Sequence, residues 1–266
     1  MKGRIAVTAG PGDAVTLARA AVGRGEASVV AVGGDGTVSE VANSLARSTA
    51  AMGVIAVGTG NDLARSMGLP LKNVSRALDV IQENQVRRVD LGRAGDRYFV
   101  SLLGVGFPAS VARLANDMRF VTGTAAFLLA VCRRIPQMQA KQIRLEIDGR
   151  VLECRATSIL VQNTPFTGGG LRIAPEAEID DGELDVVVVD EIGKLDLFWN
   201  LPRVYRGRHI GHPHFSTYRC RSLRIASEEP LEQTIDGDRF DLTPLNVEVC
   251  PGALAMIAPG GWSAEG

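Results

Sequence analysis

Two short apolar runs, each closed by a glycine-rich turn that opens a helical pattern, constrain this chain more than any other feature. Residues 29–32 lead into Gly33-Gly34-Asp35-Gly36 and a helical stretch over 37–46. Residues 54–57 lead into Gly58-Thr59-Gly60-Asn61 and a helix that starts at Asp62. Upstream, residues 5–7 read as a strand and 13–24 as a helix. Wholly apolar runs of this length mark strands buried on both faces of a parallel sheet, and strand–turn–helix repeats are βα units. Successive βα loops open at the same carboxyl edge of such a sheet, so the two glycine loops are predicted to converge on one crevice.

The residue types in these loops point to a phosphate ligand. Glycines let backbone N–H groups approach an anion closely, and a helix N-terminus adds a positive dipole. Asp35 inside such a loop would repel a phosphate unless a cation lies between them, so it implies Mg²⁺. The plainer readings are a tight turn with Thr37 capping the first helix, and Asn61 or Asp62 capping the next. No Walker A pattern is present. Gly104-Val105-Gly106-Phe107-Pro108-Ala109 matches a dinucleotide fingerprint, but Pro108 at a helix start explains its spacing structurally.

After residue 85 strands take over. A strand pair is predicted at 86–91 and 98–103 around the turn 92–96, then helices at 109–116 and 123–134. Strands at 143–147 and 151–161 flank Asp148-Gly149, a hairpin signal. A strand at 184–189, a helix at 195–205 and strands at 222–226, 233–235, 247–249 and 254–257 complete the reading. The organisation expected is an α/β domain over 1–88 and a β-rich domain over 89–266, whose last residues pack back on the first.

Composition bounds the class. The 266 residues carry 29 Lys+Arg against 30 Asp+Glu, with 45% hydrophobic and 22% charged residues. That excludes disorder, and a near-neutral balance argues against a dedicated nucleic-acid binder. The longest mostly apolar stretch, 121–132, is too short to span a membrane, and the first residues hold no signal-peptide run. Cys132, Cys154, Cys220 and Cys250 are scattered, without a zinc or redox spacing. The expected compartment is the cytoplasm.

Three further clusters stand out. Residues 176–191 hold eight carboxylates and no Lys or Arg, and Asp180-Asp181-Gly182 within them is a turn that offers hard oxygen ligands. A solvated acidic turn is the alternative. Asp236-Gly237-Asp238 follows Thr234-Ile235 and reads by itself as a type I′ hairpin turn. Residues 203–221 collect five arginines and all three histidines (His209, His212, His214) with no acid. Zinc is disfavoured there, because no Cys is near and Pro213 breaks any helical face. A basic surface for anionic phospholipid and a solvated loop are the two readings.

Taken in order, Gly33-Gly34-Asp35-Gly36-Thr37-Val38-Ser39-Glu40-Val41, Gly58-Thr59-Gly60-Asn61-Asp62-Leu63-Ala64, Gly169-Gly170, Ala174-Pro175, Ile179-Asp180-Asp181-Gly182-Glu183-Leu184-Asp185 and Asp236-Gly237-Asp238 resemble the diacylglycerol kinase catalytic domain family of bacterial lipid kinases, which is related to sphingosine kinases. The resemblance implies an α/β nucleotide domain, a β-sandwich-like lipid domain and ATP in the cleft between them. It assigns the nucleotide to Thr8, Gly33, Gly34, Asp35, Gly36, Thr37, Val38, Ser39 and Thr59, with Asn61 and Asp62 beside them. It assigns catalysis to Asp236 as base together with Asp35. It assigns a structural Mg²⁺ to the Asp181 side chain and the backbone carbonyls of Glu178 and Glu183. Asp238 stands where the family usually has Glu.

Against that pattern the chain is expected to lack the family's first strand–loop–helix, a loop that helps cover the nucleotide. The implied reaction is γ-phosphoryl transfer from ATP to a lipid hydroxyl, with peripheral and transient contact at the inner membrane surface and no nucleic acid; a homodimer is compatible with it. Phe127, Leu128, Leu129, Phe198 and Trp199 are candidates for an acyl pocket, against helix packing as the commoner role. NAD kinases share the Gly-Gly-Asp-Gly-Thr loop, but their second Asn-Glu motif has no counterpart here. A non-catalytic nucleotide- or lipid-binding regulator is the reading that the missing first loop favours. A phosphofructokinase-type sugar kinase fits the β-rich second half least.

Overall fold

The structure is a computed structural model that describes residues 3–118, 123–242 and 244–261. Its elements run α1 (Asp13–Gly23), β1 (Ser28–Gly33), α2 (Asp35–Leu45), β2 (Ala51–Ala56), α3 (Asp62–Ser66), α4 (Val74–Glu83), β3 (Val86–Ala94), β4 (Arg97–Phe99), β5 (Leu102–Gly106), α5 (Phe107–Asp117) and α6 (Gly123–Arg134). They continue with β6 (Lys141–Ile147), β7 (Arg150–Gln162), β8 (Phe166–Thr167), β9 (Leu171–Arg172), β10 (Leu184–Asp190), α7 (Lys194–Tyr205), β11 (Phe215–Cys220), β12 (Ser222–Ala226), β13 (Gln233–Ile235), β14 (Asp238–Phe240) and β15 (Leu245–Ile257).

The two apolar runs pair as predicted. β1 and β2 are parallel, with Ser28 opposite Ala51 and Gly33 opposite Ala56, and every residue of β2 is buried. The predicted strand at 5–7 does not form. Ile5 and Val7 are 92% and 86% exposed and pair with no strand among the described residues, so the backbone groups of this segment gain no ladder. α4 was not read from the sequence. Its N-cap is Asn73, whose side chain accepts from the Arg76 N–H.

The strands predicted at 247–249 and 254–257 are one strand. β15 runs antiparallel to β3 along its length and shifts register between Cys250 and Leu254. Pro251 has no N–H to give to a ladder, and Gly252 takes φ +56°, so this stretch is a bulge rather than a chain break. Beyond the bulge Ala255 and Met256 pair in parallel with Ala51 and Met52 of β2. Before it Val247 pairs with Leu223 of β12. The expected boundary after residue 88 falls inside β3, and a single sheet path β1-β2-β15-β12-β6-β7-β5-β13-β14 runs through both halves.

In the β-rich half, alternation decides the layers. β10 turns Val186 and Val188 into a core with Ile143, Leu145, Ile159 and Leu223. Val187 and Val189 face the opposite way, into a cluster with residues of α5, α6 and α7. Three helices thus cover the outer face of β7 and β10, and the space they leave is the cavity described below. The strand predicted over 98–103 is β4 and β5 separated by a corner at Val100-Ser101. Of the apolar stretch at 121–132, residues 121 and 122 lie outside the described residues. Among the described residues no helix is long and apolar enough to cross a membrane.

Candidate active site

The two glycine loops meet backbone to backbone. A Cβ on Gly58 would lie 2.3 Å from the Gly34 Cα, and one on Gly60 would lie 2.4 Å from Asp35 Oδ2. Only glycine allows this approach. Asp35 bolts the loops together: Oδ2 accepts the Asn61 N–H at 2.7 Å and Oδ1 accepts the Asp62 N–H at 2.6 Å. Asp35 therefore caps α3 from the neighbouring loop. Asn61 sits at the N-cap position but its side chain caps nothing, donating instead to the Gly58 carbonyl at 2.8 Å. The N-terminus of α2 likewise has no side-chain cap at Gly34, and Thr37 packs over Gly33 rather than capping. Its first N–H groups are the kind of donors that suit an anion.

Asp62 is buried, and its Oδ2 accepts the Gly169 N–H at 3.0 Å. Burial, with the Asp35 charge adding to it, raises its pKa to about 6 against the pull of the Gly169 and Gly170 N–H groups. Asp62 Oδ1 and Asn61 Oδ1 are buried without a hydrogen-bond partner, as is Arg65 Nε one helical step away. Arg65 was not singled out in the sequence. Its spacing of three from Asp62 on one helix is the signal that would have found it.

Asp236 reaches the same place from the other half of the fold. It takes φ +47° and Gly237 φ +91°, so the type I′ hairpin reading is correct for the backbone. The side chain accepts four hydrogen bonds: Val100 N–H at 2.8 Å and Ser39 Oγ–H at 2.8 Å on Oδ2, Ser101 N–H and Leu102 N–H at 3.0 Å on Oδ1. Burial pushes its pKa up while these four donors pull it down. The corner that supplies the N–H groups is clamped from two sides. Asn43 Nδ2 donates to the Ser39 and Tyr98 carbonyls, and Asn163 Nδ2 donates to the Asp90 and Val100 carbonyls. Neither asparagine was singled out in the sequence.

Asp35, Ser39, Asp62 and Asp236 line one cavity of about 490 Å³, which continues between α5, α6, α7 and the sheet. Beyond the carboxylates its wall is mainly apolar, with Phe107, Val111, Phe127, Leu160, Val187 and Leu197 contributing. Of the residues considered for an acyl pocket, Phe127 lines it. Leu128, Phe198 and Trp199 are turned to solvent, and Leu129 is not part of the wall. His209 also lines the cavity and is buried, with Nε2 against the Ile173 carbonyl at 2.9 Å. His212 lies instead beside Asp196 and Asn200. Gly104–Ala109 is the end of β5 and start of α5, with Pro108 in the first turn.

Of the other expected site residues, Val38 lines the same cavity, buried in α2 with its N–H on the Gly34 carbonyl, while Thr8 and Thr59 are exposed. Asp238 is exposed and pairs with Arg97 at 3.1 Å. In the acidic turn Asp181 is ion-paired with Arg219 and accepts the Glu183 N–H at 2.9 Å, and Arg219 also reaches Glu183. Glu178 is exposed. Among the described residues no three carboxylate, His or Cys groups gather as a ligand set.

Comparison with known proteins agrees with this geometry. Residues 1–94 match the model of the diacylglycerol kinase catalytic domain, and residues 101–258 match that of the YegS C-terminal NAD kinase beta sandwich-like domain. A Mycobacterium tuberculosis diacylglycerol kinase is 32% identical over 253 residues, covering 93% of this chain and 82% of the relative. A Staphylococcus haemolyticus diacylglycerol kinase is 30% identical over 249 residues, covering 90% and 75%. The fold matches the crystal structure of a diacylglycerol kinase from Bacillus anthracis with a TM-score of 0.74 at 23% identity, covering 96% of this chain and 85% of that one. With two glycine loops bolted by one aspartate, a second aspartate delivered by a hairpin from the β-rich half, and relatives of this identity along most of its length, the chain belongs to the diacylglycerol kinase family of phosphotransferases that act on an alcohol group.

Proposed function

We propose that this chain transfers the γ-phosphoryl group of ATP to the free hydroxyl of diacylglycerol or a closely related lipid. One observation carries the reading: the apolar cavity ends on the carboxylates of Asp35, Asp62 and Asp236, beside the glycine loops. A lipid seated in it would put its chains against the apolar wall and its hydroxyl at the loops. The cavity volume is within the usual range for small-molecule sites.

Phosphoryl transfer depends on positioning and charge neutralisation more than on covalent catalysis. The backbone of Gly33, Gly34, Asp35, Gly36 and Thr37 at the start of α2 holds phosphate oxygens in this reading, with Thr59 and Thr8 at the exposed edge for the rest of the nucleotide. Asp35 sets the distance between the loops, and Arg65 adds positive charge beside them. The unpartnered oxygens of Asn61 and Asp62 fit a Mg²⁺ carried in with ATP, with Asp35 beside them. When bound, that ion neutralises charge on the phosphates.

The lipid is taken from a membrane surface. α7 turns Leu197, Leu201 and Val204 into the cavity wall, while Leu195, Phe198, Trp199 and Tyr205 are exposed on its other side. Lys194, Arg203, Arg206 and Arg208 are exposed around that stripe, a pattern that suits an anionic bilayer.

The test is transfer of radiolabelled phosphate from ATP to a panel of diacylglycerol, monoacylglycerol, phosphatidylglycerol, a sphingoid base and NAD. Labelled phosphatidic acid, formed only when diacylglycerol is present, is the expected result. Label in NAD, or ATP binding without transfer to any lipid, would overturn the reading.

A further inference from the structure

The apolar part of the cavity wall holds a hydrogen-bond acceptor that the protein leaves unused. His209 is buried and lines the cavity. Its Nε2 lies 2.9 Å from the Ile173 carbonyl, which can only accept, so Nε2 carries the proton. Burial lowers the pKa of the ring, which keeps it neutral. Nδ1 is then a bare acceptor, and it is buried without a hydrogen-bond partner. Such a group is costly in an apolar wall unless a ligand supplies the missing donor. Ser158 of β7 is a second polar group on this wall. It is buried, lines the cavity, and its hydroxyl has no hydrogen-bond partner among the described residues.

Strand register places these two groups at one level, away from the carboxylates. Ser158 is opposite Val189 of β10, and Val189 is opposite Phe215 of β11. The His209 ring packs against Phe215 in a T-shape with centroids 5.1 Å apart. Val189 also lines the cavity, so a chain lying over it has the Ser158 hydroxyl on one side and His209 on the other. The Asp236 N–H bonds the Leu102 carbonyl, and Leu102 is opposite Gln162 of β7. From Gln162 to Ser158 along β7, at about 3.3 Å per residue, is roughly 13 Å.

We propose that His209 and Ser158 select a lipid whose acyl chain carries a hydroxyl near its middle. The inference rests on the reading above that a lipid chain occupies this cavity with its reacting hydroxyl at the carboxylates. A hydroxyl is the group that fits, because one oxygen donates to Nδ1 and accepts from the Ser158 hydroxyl. An ester carbonyl has no proton for Nδ1, and a methylene leaves both groups unpaired. The offset along β7 falls at mid-chain in an extended long-chain acyl group.

The experiment compares wild type, His209→Leu and Ser158→Ala on diacylglycerols bearing oleoyl, ricinoleoyl (the same chain with a mid-chain hydroxyl) or α-hydroxyoleoyl groups. Displacement of a fluorescent fatty acid by ricinoleic or oleic acid, without ATP, reads binding separately from turnover. Wild type is expected to favour ricinoleoyl over oleoyl by about tenfold in kcat/KM, the scale of one buried hydrogen bond made rather than left unmade. The free acids should show the same preference, and α-hydroxyoleoyl should show none. His209→Leu should bring the ratio to about one or below, since its wall is apolar there, and Ser158→Ala should lower it about threefold. Ser158→Ala carries the test if His209→Leu, which leaves the Ile173 carbonyl without its donor, melts early.

Equal use of oleoyl and ricinoleoyl lipids by wild type would overturn the inference and leave the proposed function standing. So would a preference that survives in both variants, or one shared by the α-hydroxy lipid. A wild type that phosphorylates no lipid yet binds ricinoleic acid more tightly than oleic acid would remove the proposed function and support the selection by His209 and Ser158.

Discussion

Three aspartates at one end of a cavity do three different things because their hydrogen bonds differ. Asp35 spends its oxygens on two N–H groups of the facing loop and is held as a strut. Asp62 is buried with one oxygen unpartnered, which raises its pKa to about 6 from 3.8. The sign follows from linkage. Its folded-state pKa lies above the unfolded one, so the folded protein holds an extra proton between these values. The associated stability is present below the unfolded pKa and is lost as pH rises through about 6. Asp62→Asn, which never charges, should be more stable than wild type by about 1–3 kcal/mol above neutral pH, with the gain fading near pH 4. Thermal melts across pH check this, and the same variant should lose lipid kinase activity. Asp236→Asn cannot take a proton, and its NH2 group faces a backbone N–H wherever it lies, so it should also lower the denaturation midpoint. It should lose about 10²–10⁴-fold in kcat with ATP binding nearly unchanged, measured by calorimetry alongside turnover.

At the scale of elements, α7 is a helix with two apolar faces, and the usual rule that the apolar face is the buried one fails for it. The inner face walls the cavity, and the outer face is open to solvent with Trp199 75% and Leu195 76% exposed. Paired substitutions on the outer face, Leu195→Asp with Trp199→Asp, should weaken binding to vesicles of anionic phospholipid at least about tenfold, roughly the loss of two inserted side chains. Turnover of a short-chain diacylglycerol in detergent should stay within about twofold, because the inner face is untouched. Vesicle flotation and the detergent assay read the two effects separately. The hairpins make the complementary point. Asp148-Gly149 and Asp236-Gly237 share one backbone form. Asp148 accepts the Arg221 and Ser222 N–H groups and the Ser222 hydroxyl at an exposed turn, while Asp236 enters the site.

Over the whole molecule, β15 and β3 tie the two halves together, and a single buried carboxylate secures the joint. Asp90, on β3, accepts the Gly252 N–H of the β15 bulge at 2.6 Å and the Gly182 N–H of the acidic turn at 2.7 Å. The Asp90 carbonyl also takes the Asn163 side chain, which braces the corner under Asp236. Asp90→Ala leaves two N–H groups without their acceptor and should cost about 2–4 kcal/mol, seen as a fall in denaturant midpoint. It should lower kcat as well, because the clamp on the Asp236 donors loosens.

What the sequence determined by itself was local. Buried βα strands, two glycine loops, the Asp-Gly turns and most helices follow from apolar runs and residue types whose effect reaches only a few neighbours along the chain, and the ordered motifs were enough to show the family. The unformed strand at 5–7 has the same kind of local pattern as β1, yet a strand needs a partner, and pairing is not a local property. The ion pair of Asp181 has the same character: Arg219 is 38 residues away and reaches the turn because β10 and β11 pair in register. Asp236 was legible by its residues as a turn and as a base only through the resemblance, but its hydrogen-bond partners were not, because its donors come from residues 134 to 197 positions distant. Hydrogen bonds and charge pairs between remote segments exist only once the sheet has set the register, and that register decides which aspartate is a strut, which a buried acid and which the acceptor of four hydrogen bonds.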